Sequence, residues 1–238
     1  MCQDEAGTCQ TEKVNFDRPV VAAFDLDGTL TEGGSVGRWL RAIGGYGRFY
    51  GAGISLALPL TVGAVMSGPA ADRAKESLFR KILSGRPHDE VASASREFAL
   101  THLHEEVRLH VQQRLEWHKS EGHRVVVVSA SPEIYVAVIA HELGAHGAVG
   151  TRLAVDPLGR LTGGYLGRNC RGEEKIRRLH EWIDAQNFSV TPEIYAYGNS
   201  RGDLRMLSAA DHPYDVGKLG PLGALRHFPR FRSGGRPD

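Results

Sequence analysis

The chain has 238 residues, a formal net charge of +1 and 41% hydrophobic residues, enough for one large domain or for a domain with a sizeable insertion. A near-neutral charge, with basic residues clustered only in the C-terminal tail, argues against a nucleic-acid-binding surface. The three cysteines form neither a disulfide framework nor a metal-ligand spacing, which suits a reducing cytoplasm. We therefore expect a cytoplasmic protein with no nucleic-acid partner.

The two ends of the chain differ from the rest in composition. Residues 1–18 are polar and lack the basic start and apolar run of a signal peptide, so they are predicted to be a flexible leader. The last ten residues, 229–238, are locally basic and are predicted to be a flexible, solvated tail.

The first structural signal is the stretch Val20–Phe24, which is apolar throughout. Uniform apolarity is typical of a central parallel strand that is covered on both faces. Asp25 and Asp27 follow at the end of this strand, two residues apart. Two close carboxylates repel each other, so the pair predicts a bound cation, a shared proton or a catalytic role.

Residues 33–120 show helical patterning and no strand signal. Val36, Trp39, Leu40 and Ile43 recur with the spacing of one helix face. We predict that this block is an all-helical second lobe, or cap, inserted after the first strand.

Within the predicted cap, the stretch from Phe49 to Ala71 contains no charged residue. Its length approaches the ~20 residues that span a bilayer, but four glycines and two prolines make it a poor spanning helix. A buried or interfacial helical hairpin is the favoured interpretation. Peripheral membrane contact through the cap, and hence membrane association, stays open.

Strands and helices alternate after the cap. A second apolar strand runs over 124–129, and Ser131, Pro132 and Glu133 are typical of a helix N-terminus. The residues around Asp156–Gly159 indicate a hairpin, and 193–198 is predicted to be a further strand.

This alternation indicates an α/β fold with a doubly wound, mostly parallel, Rossmann-like sheet. The predicted core comprises residues 19–32 and 121–228, with the cap between them. In such sheets, ligands bind beyond the carboxyl ends of the strands. That rule brings the following candidates together: Asp25, Asp27, Ser129, Lys175, Asn199 and Asp203.

These residue types suit phosphoryl transfer. A carboxylate can attack phosphorus as a nucleophile, and a second carboxyl can protonate the leaving oxygen and then activate water. A hydroxyl and backbone N–H groups can hold the phosphoryl oxygens. An ammonium and a Mg²⁺ ion can offset the negative charge of nucleophile and phosphate.

The same residues resemble the four motifs of the haloacid dehalogenase (HAD) superfamily. Asp25-Leu26-Asp27-Gly28-Thr29 matches its DxDGT strand end, Ser129 its second motif, Lys175 its third, and the loop from Asn199 to Asp203 its acidic fourth motif. The position of the helical block resembles subclass IB, which contains phosphoserine phosphatases and a phosphatidylglycerophosphatase branch.

The resemblance implies a role for each matching residue. Asp25 would be the nucleophile and a Mg²⁺ ligand, and Asp27 the general acid/base, with its carbonyl on the metal. Ser129 and Ala130 would bind phosphate, and Lys175 would stabilise it.

The fourth motif would complete the metal site through Asn199 and Asp203. The family usually has Asp at the position of Asn199, and an amide oxygen can bind a hard cation but brings no charge. Asp203 would then be the anionic partner. Arg171 lies one helical turn before Lys175 and is an alternative source of the positive charge.

The resemblance therefore implies a Mg²⁺-dependent phosphatase whose partner is a phosphorylated small metabolite or lipid. A phosphotransferase and a non-catalytic phosphate-binding module stay open as alternatives. Gly34 stands where phosphoserine phosphatases carry a glutamate that meets the substrate amine, which weakens phosphoserine as the substrate. The histidines at 102, 104, 110, 118 and 123 show no metal-ligand spacing and are predicted to be solvated.

Overall fold

The computed structural model describes residues 18–55, 69–219 and 222–232. The predictions for the leader up to residue 17 and for the middle of the uncharged stretch, 56–68, lie outside the described residues. In the part of the chain that is described, no helix combines the length and the apolar character that crossing a bilayer requires.

Five strands form one parallel sheet, and two more form a separate antiparallel hairpin. The sheet strands are β1 (Val20–Phe24), β2 (Arg124–Pro132), β3 (Gly147–Thr151), β6 (Glu193–Gly198) and β7 (His212–Asp215), and the hairpin consists of β4 (Leu153–Val155) and β5 (Leu161–Tyr165). The sheet order β3-β2-β1-β6-β7 places β1 at the centre. The chain winds outward from β1 in both directions, which confirms the predicted doubly wound fold.

The helices of the described residues fall into two groups, four between β1 and β2 and three after β2. They are α1 (Val36–Ser55), α2 (Pro69–Leu83), α3 (His88–Glu106), α4 (Leu109–Ser120), α5 (Glu133–Glu142), α6 (Glu173–Asp184) and α7 (Leu204–Ser208). The predicted helical insertion after β1 is therefore present, and α1 is kinked at Gly45, whose φ is +70°. The exact boundaries of core and cap stay predictions.

Side chains of β1 alternate between two hydrophobic clusters. Ala22 and Phe24 belong to one cluster, and Val21 and Ala23 belong to the other. Successive strand residues point to opposite faces, so a strand covered on both faces is apolar at every position. This explains the uniform apolarity of the sequence here.

The cap helices share a hydrophobic cluster with the sheet. Trp39 of α1 lies 5.7 Å from Phe79 of α2 and 5.4 Å from Tyr135 of α5, measured between ring centroids. All three rings are fully buried. Apolar contacts thus join helices of the predicted cap to helix α5 of the core.

Two crossing segments connect the cap to the core and pair with each other. The backbone N–H of Glu32 donates to Glu106 O (2.8 Å), and that of Arg108 donates to Leu30 O (2.8 Å). The buried Arg108 guanidinium also donates to Gly28 O at 2.6 Å. One arginine from the returning segment therefore fixes the loop that carries the two aspartates.

The β4–β5 hairpin packs against the cap rather than against the sheet. Gly159, in its turn, has φ +74°, a conformation that favours glycine. At Gly163, a Cβ would lie 2.4 Å from the Arg80 Cα of α2. The hairpin is where sequence analysis predicts it, but its close contact with α2 was not predicted.

The structure differs from the sequence analysis at β3, which was not predicted. The strand is only five residues long and its sequence is GAVGT, and two glycines in five residues suppress the strand signal. Of the predicted tail, 229–238, residues 233–238 lie outside the described residues, while Arg230 and Phe231 contact the end of β7. Phe231 N donates to Asp215 O at 2.9 Å, and Arg230 forms an ion pair with Asp215 at 2.8 Å.

Two of the five histidines predicted to be solvated are buried, so that prediction was wrong for them. His102 is 2% exposed and lies 3.3 Å from Thr31 Oγ1. His118 is fully buried and its Nε2 lies 2.9 Å from the Tyr197 hydroxyl. Both lie on cap-side helices whose inner faces become buried when they pack on the core, a contact that sequence periodicity alone does not reveal.

Candidate active site

Asp25 lies at the carboxyl end of the central strand and is 6% exposed. Its backbone N–H donates to Tyr197 O at 2.9 Å, which continues the pairing of β1 with β6. One carboxylate oxygen accepts from Lys175 Nζ at 2.6 Å, and the other accepts from Thr29 Oγ1 at 3.0 Å. The carboxylate is thus held by a cation from a distant helix and a hydroxyl from its own loop.

Lys175, near the start of α6, is 2% exposed and bridges Asp25 and Asp203. Burial alone would lower the pKa of Lys175, but the charges of Asp203 and Asp25 outweigh burial and raise it. Burial, followed by the charge of Asp203, raises the pKa of Asp25 to about 7, although Lys175 opposes this shift. The trio carries one more negative than positive charge when all three groups are ionised.

Arg171, the alternative to Lys175, lies elsewhere. Its side chain packs against Gly202, where an added Cβ would lie 3.3 Å from Arg171 Cγ. Lys175 is therefore the cation that contacts Asp25.

Asp27 is held by neutral donors instead. Its Oδ1 accepts from Ser35 N at 2.6 Å, and its Oδ2 accepts from the Ser131 hydroxyl. The Ser35 hydroxyl lies 2.7 Å from the Tyr135 hydroxyl and 3.3 Å from Ser131 Oγ. Ser35 and Tyr135 were not predicted as site residues, and Ser131 was predicted only as a helix cap.

The turn after the second strand forms around Ser129, which is 1% exposed. Its hydroxyl oxygen accepts from Ser131 N at 3.0 Å. The Ala130 carbonyl accepts from Thr151 Oγ1 at 2.7 Å and from Lys75 Nζ at 2.6 Å. The orientation of the Ala130 peptide is thus fixed by one residue from β3 and one from the cap.

The two candidate metal ligands in the loop from Asn199 to Asp203 differ in their hydrogen-bond partners. Oδ2 of Asp203 accepts from Ser200 N (3.0 Å), Ser200 Oγ (2.9 Å) and Asn199 N (3.2 Å), while Oδ1 accepts from Lys175. Both Asp203 oxygens are therefore occupied. By contrast, Asn199 Oδ1 is buried and has no hydrogen-bond partner among the described residues.

Asn199 packs directly against Gly28 of the aspartate loop. A Cβ on Gly28 would lie 2.0 Å from Asn199 Nδ2, and the Gly28 φ of +80° also favours glycine. A cavity of about 340 Å³ opens beside these two residues and is also lined by Asp215 and Lys218. The fourth-motif loop is thereby held close to the loop that carries Asp25 and Asp27.

The oxygen donors here suit a hard divalent cation. An unpartnered amide oxygen on Asn199 and the carboxylate of Asp25 are ligand types that Mg²⁺ prefers, and a cation would favour the ionised form of Asp25, whose pKa is raised. Within the described residues there is no cluster of three or more His, Cys, Asp or Glu that could hold a metal. A metal at this site would therefore depend on amide and carbonyl oxygens as well as carboxylates.

Lys75 is a further residue at the site that sequence analysis missed. It lies on α2 of the cap, and its ammonium donates to Ala130 O and, at 3.0 Å, to Asn169 Oδ1. The sequence gives no signal for it, because a lysine on an amphipathic helix is ordinarily solvated. Of the candidates from the sequence, the structure brings Asp25, Lys175 and Asp203 into direct contact, with Asn199 hydrogen-bonded to Asp203.

The arrangement can be compared with known proteins. A family model described as haloacid dehalogenase-like hydrolase matches residues 22–208. The chain belongs to this family. The predicted HAD relationship and the prediction of an enzyme, a hydrolase, are confirmed by this match.

Two relatives and one solved structure illustrate the relationship. The HAD chain is 33% identical over 193 residues to Protein CicA of Caulobacter vibrioides, covering 81% of this chain and 84% of CicA. It is 27% identical over 130 residues to a histidinol-phosphatase of Neisseria meningitidis, covering 54% and 59% of the two chains. A phosphoserine phosphatase structure with an analogue of the phospho-aspartyl intermediate has the same fold, with a TM-score of 0.57 and 19% identity over 83% of this chain and 86% of that one.

Proposed function

We propose that this HAD hydrolase is a Mg²⁺-dependent phosphomonoesterase of subclass IB that acts through a covalent aspartyl-phosphate on Asp25. The observation that carries the proposal is the contrast between the two aspartates. Asp25 is held at the strand tip by Lys175 and Thr29, whereas Asp27 is held only by Ser35 and Ser131. One carboxylate is fixed beside a cation, and the other remains free of ion pairs with described residues.

In the first step, an Asp25 carboxylate oxygen attacks phosphorus and the bond to the ester oxygen breaks. Asp27, in its protonated form, gives its proton to that leaving oxygen. In the second step, Asp27 accepts a proton from water, which attacks phosphorus and breaks the bond to Asp25. The products are the alcohol and inorganic phosphate, and both aspartates return to their starting forms.

The remaining residues bind and neutralise the phosphoryl group. Ser129 and the backbone N–H of Ala130 would hold its oxygens, and Lys175 would balance the charge of Asp25. Asn199, Asp25 and the Asp27 carbonyl would hold Mg²⁺, with Asp203 positioning Lys175 and the loop. When bound, the ion supplies positive charge that offsets the repulsion between carboxylate and phosphate.

The proposed substrates are small metabolite phosphates or lipid phosphates. Known relatives support phosphate-ester chemistry, since the Neisseria relative is named a histidinol-phosphatase. The helices between the strand of Asp25 and the strand of Ser129 support the proposed assignment to subclass IB.

The test uses the full chain, an aryl phosphate and Mg²⁺. We expect turnover that is lost on metal chelation and restored by Mg²⁺, and a hydroxylamine-sensitive phosphoenzyme in the wild type. Asp25→Asn should abolish both while the melting temperature stays within a few degrees, because only the charge of the nucleophile is removed. A folded, metal-loaded wild type without turnover would refute the phosphatase, and an active Asp25→Asn variant would refute the covalent mechanism.

A further inference from the structure

The cap side of the site contains an ammonium group, that of Lys75, which has no anionic partner among the described residues. Lys75 Nζ donates to Ala130 O at 2.6 Å and to Asn169 Oδ1 at 3.0 Å. Both acceptors are neutral, and no ion pair within 4.0 Å joins Lys75 to another described residue. An ammonium has three donors, so one N–H is left for a further acceptor.

The nearest carboxylates are already bound to other donors. Asp72, one turn earlier on α2, accepts from Asn169 Nδ2 at 2.6 Å, and Asp27 accepts from two serines. Burial lowers the pKa of Lys75 to about 8, while the charges of Asp27 and then Asp72 oppose the shift. A desolvated cation that contacts only neutral groups favours an anion in direct contact.

Two aromatic rings and a second unpaired donor lie beside the ammonium. Lys75 Nζ is 5.6 Å from the Phe79 ring centroid and 6.0 Å from that of Tyr165 in β5. The two rings meet edge to face at 5.8 Å. The Tyr165 hydroxyl is buried without a hydrogen-bond partner among the described residues. An unused ammonium N–H and an unused phenol O–H therefore occur in the same small region.

This region adjoins the leaving-group side of the proposed reaction. Lys75 holds the carbonyl of Ala130, the residue after Ser129, so it lies at the edge of the proposed phosphate-binding turn. Asp27, the proposed acid for the leaving oxygen, accepts from Ser131, which directly follows Ala130. A group attached to that oxygen would extend from Asp27 toward the cap.

We propose that Lys75, assisted by the Tyr165 hydroxyl, binds an anionic oxygen on the leaving group, so that the preferred substrate is a phosphomonoester with a second anionic group. This inference rests on the proposed phosphatase activity and narrows its substrate class. The second group is a carboxylate or another phosphate. Lys75 is thus a specificity-determining residue contributed by the cap.

The experiment compares three short alkyl esters, propyl phosphate, carboxyethyl phosphate and propanediol bisphosphate, with the full chain and Mg²⁺. We expect the wild type to favour the two doubly anionic esters by about 10- to 100-fold in kcat/KM, the range for a hydrogen bond to a charged group. The carboxylate and bisphosphate arms distinguish the two kinds of second anion. Lys75→Met should bring the preference to within about threefold of unity, mainly through KM.

Matched variants distinguish a loss of substrate recognition from a loss of folding. Lys75→Arg should retain part of the preference because it keeps the charge, and Tyr165→Phe should reduce it by a smaller factor because it removes only the hydroxyl. Arg73→Met removes an exposed charge from the same helix and should leave the preference as in the wild type. Thermal unfolding of each variant checks that it is folded.

The outcomes are distinguishable. A wild type that hydrolyses propyl phosphate without preferring the anionic esters overturns this inference alone. A Lys75→Met variant that loses activity on all three esters equally, or that keeps the wild-type preference, also overturns it. A wild type that hydrolyses none of these esters and no aryl phosphate overturns the proposed function, and this inference with it.

Discussion

Two lysines lie on opposite sides of the candidate site and differ in their partners. Lys175 of the core is 2% exposed and forms ion pairs with both Asp25 and Asp203. Lys75 of the cap contacts a carbonyl and an amide oxygen and has no carboxylate partner among the described residues. Two carboxylates raise the pKa of the first lysine, and burial lowers that of the second to about 8.

The difference indicates separate roles for the two charges. The charge of Lys175 is matched inside the protein, so it holds the carboxylate that we propose as nucleophile in place. The charge of Lys75 is not matched in the same way, so it remains available to a ligand. Core residues would therefore carry out the reaction, while a cap residue would determine substrate specificity.

Asp27, the proposed acid/base, provides the largest remaining expected effect on turnover. Asp27→Asn should lower kcat by about 10²–10⁴, the usual contribution of a positioned acid or base. It should change inhibition by inorganic phosphate far less, because Ser129 and Lys175 would still bind phosphate. Steady-state kinetics with an aryl phosphate measures both. An unchanged kcat would exclude Asp27 as the acid/base.

Removal of each lysine should affect stability differently. Lys175→Met leaves two buried carboxylates without their cation, which should cost about 3–5 kcal/mol of the free energy of unfolding. Lys75→Met should cost only about 1 kcal/mol, because Thr151 still contacts both of its former acceptors. Urea unfolding near neutral pH gives both values. Equal losses would contradict the assignment of one paired and one unpaired charge.

A buried histidine with no acidic partner among the described residues makes the free energy of unfolding depend on pH. His118 contacts His123 and the Tyr197 hydroxyl. Burial, followed by the charge of His123, lowers its pKa from 6.5 to about 2. Below pH 6.5 the unfolded chain binds a proton that the folded chain does not, so stability falls as pH falls through this window, by about 1.4 kcal/mol per unit.

The variant His118→Gln removes this contribution while it keeps a polar side chain near Tyr197. The free energy of unfolding should therefore decline less steeply between pH 6.5 and pH 4 than in the wild type. His180→Gln, at an exposed position of α6, is the matched control and should follow the wild type. If the two variants and the wild type have the same slope, His118 is not held in its neutral form in the folded protein.

Sequence patterning predicted the elements that carry a strong local signal. The strands β1 and β6 and the 153–165 hairpin occur where expected, because apolar runs and glycine turns act over a few residues. The helix after Ser131 is also present, but Ser131 does not cap it. Ser131 lies in β2, and Pro132 is the residue that precedes the helix. β3 was missed because a short, glycine-containing strand has no such signal. The burial of His102 and His118 depends on which helix face meets the core.

The candidate site also has features that the sequence predicted and features that required the structure. The sequence indicated Asp25, Asp27 and Lys175 through motif spacing, but it left Arg171 and Lys175 open as alternatives. The contact with Asp25 selects Lys175, and the two occupied oxygens of Asp203 leave Asn199 as the side chain with a free oxygen. Neither distinction follows from spacing, because it requires the rotamers of side chains from separate elements.

The sequence by itself determined the family and the chemistry that its motifs support, since residues at the ends of parallel strands must meet at one edge of the sheet. Only the tertiary structure decided which charges are neutralised and which are left for a ligand. Lys175 and Lys75 are both helix lysines in the sequence, and their difference arises from which groups face them after the cap packs on the core. That packing depends on contacts between residues far apart in the chain, which local patterns do not specify.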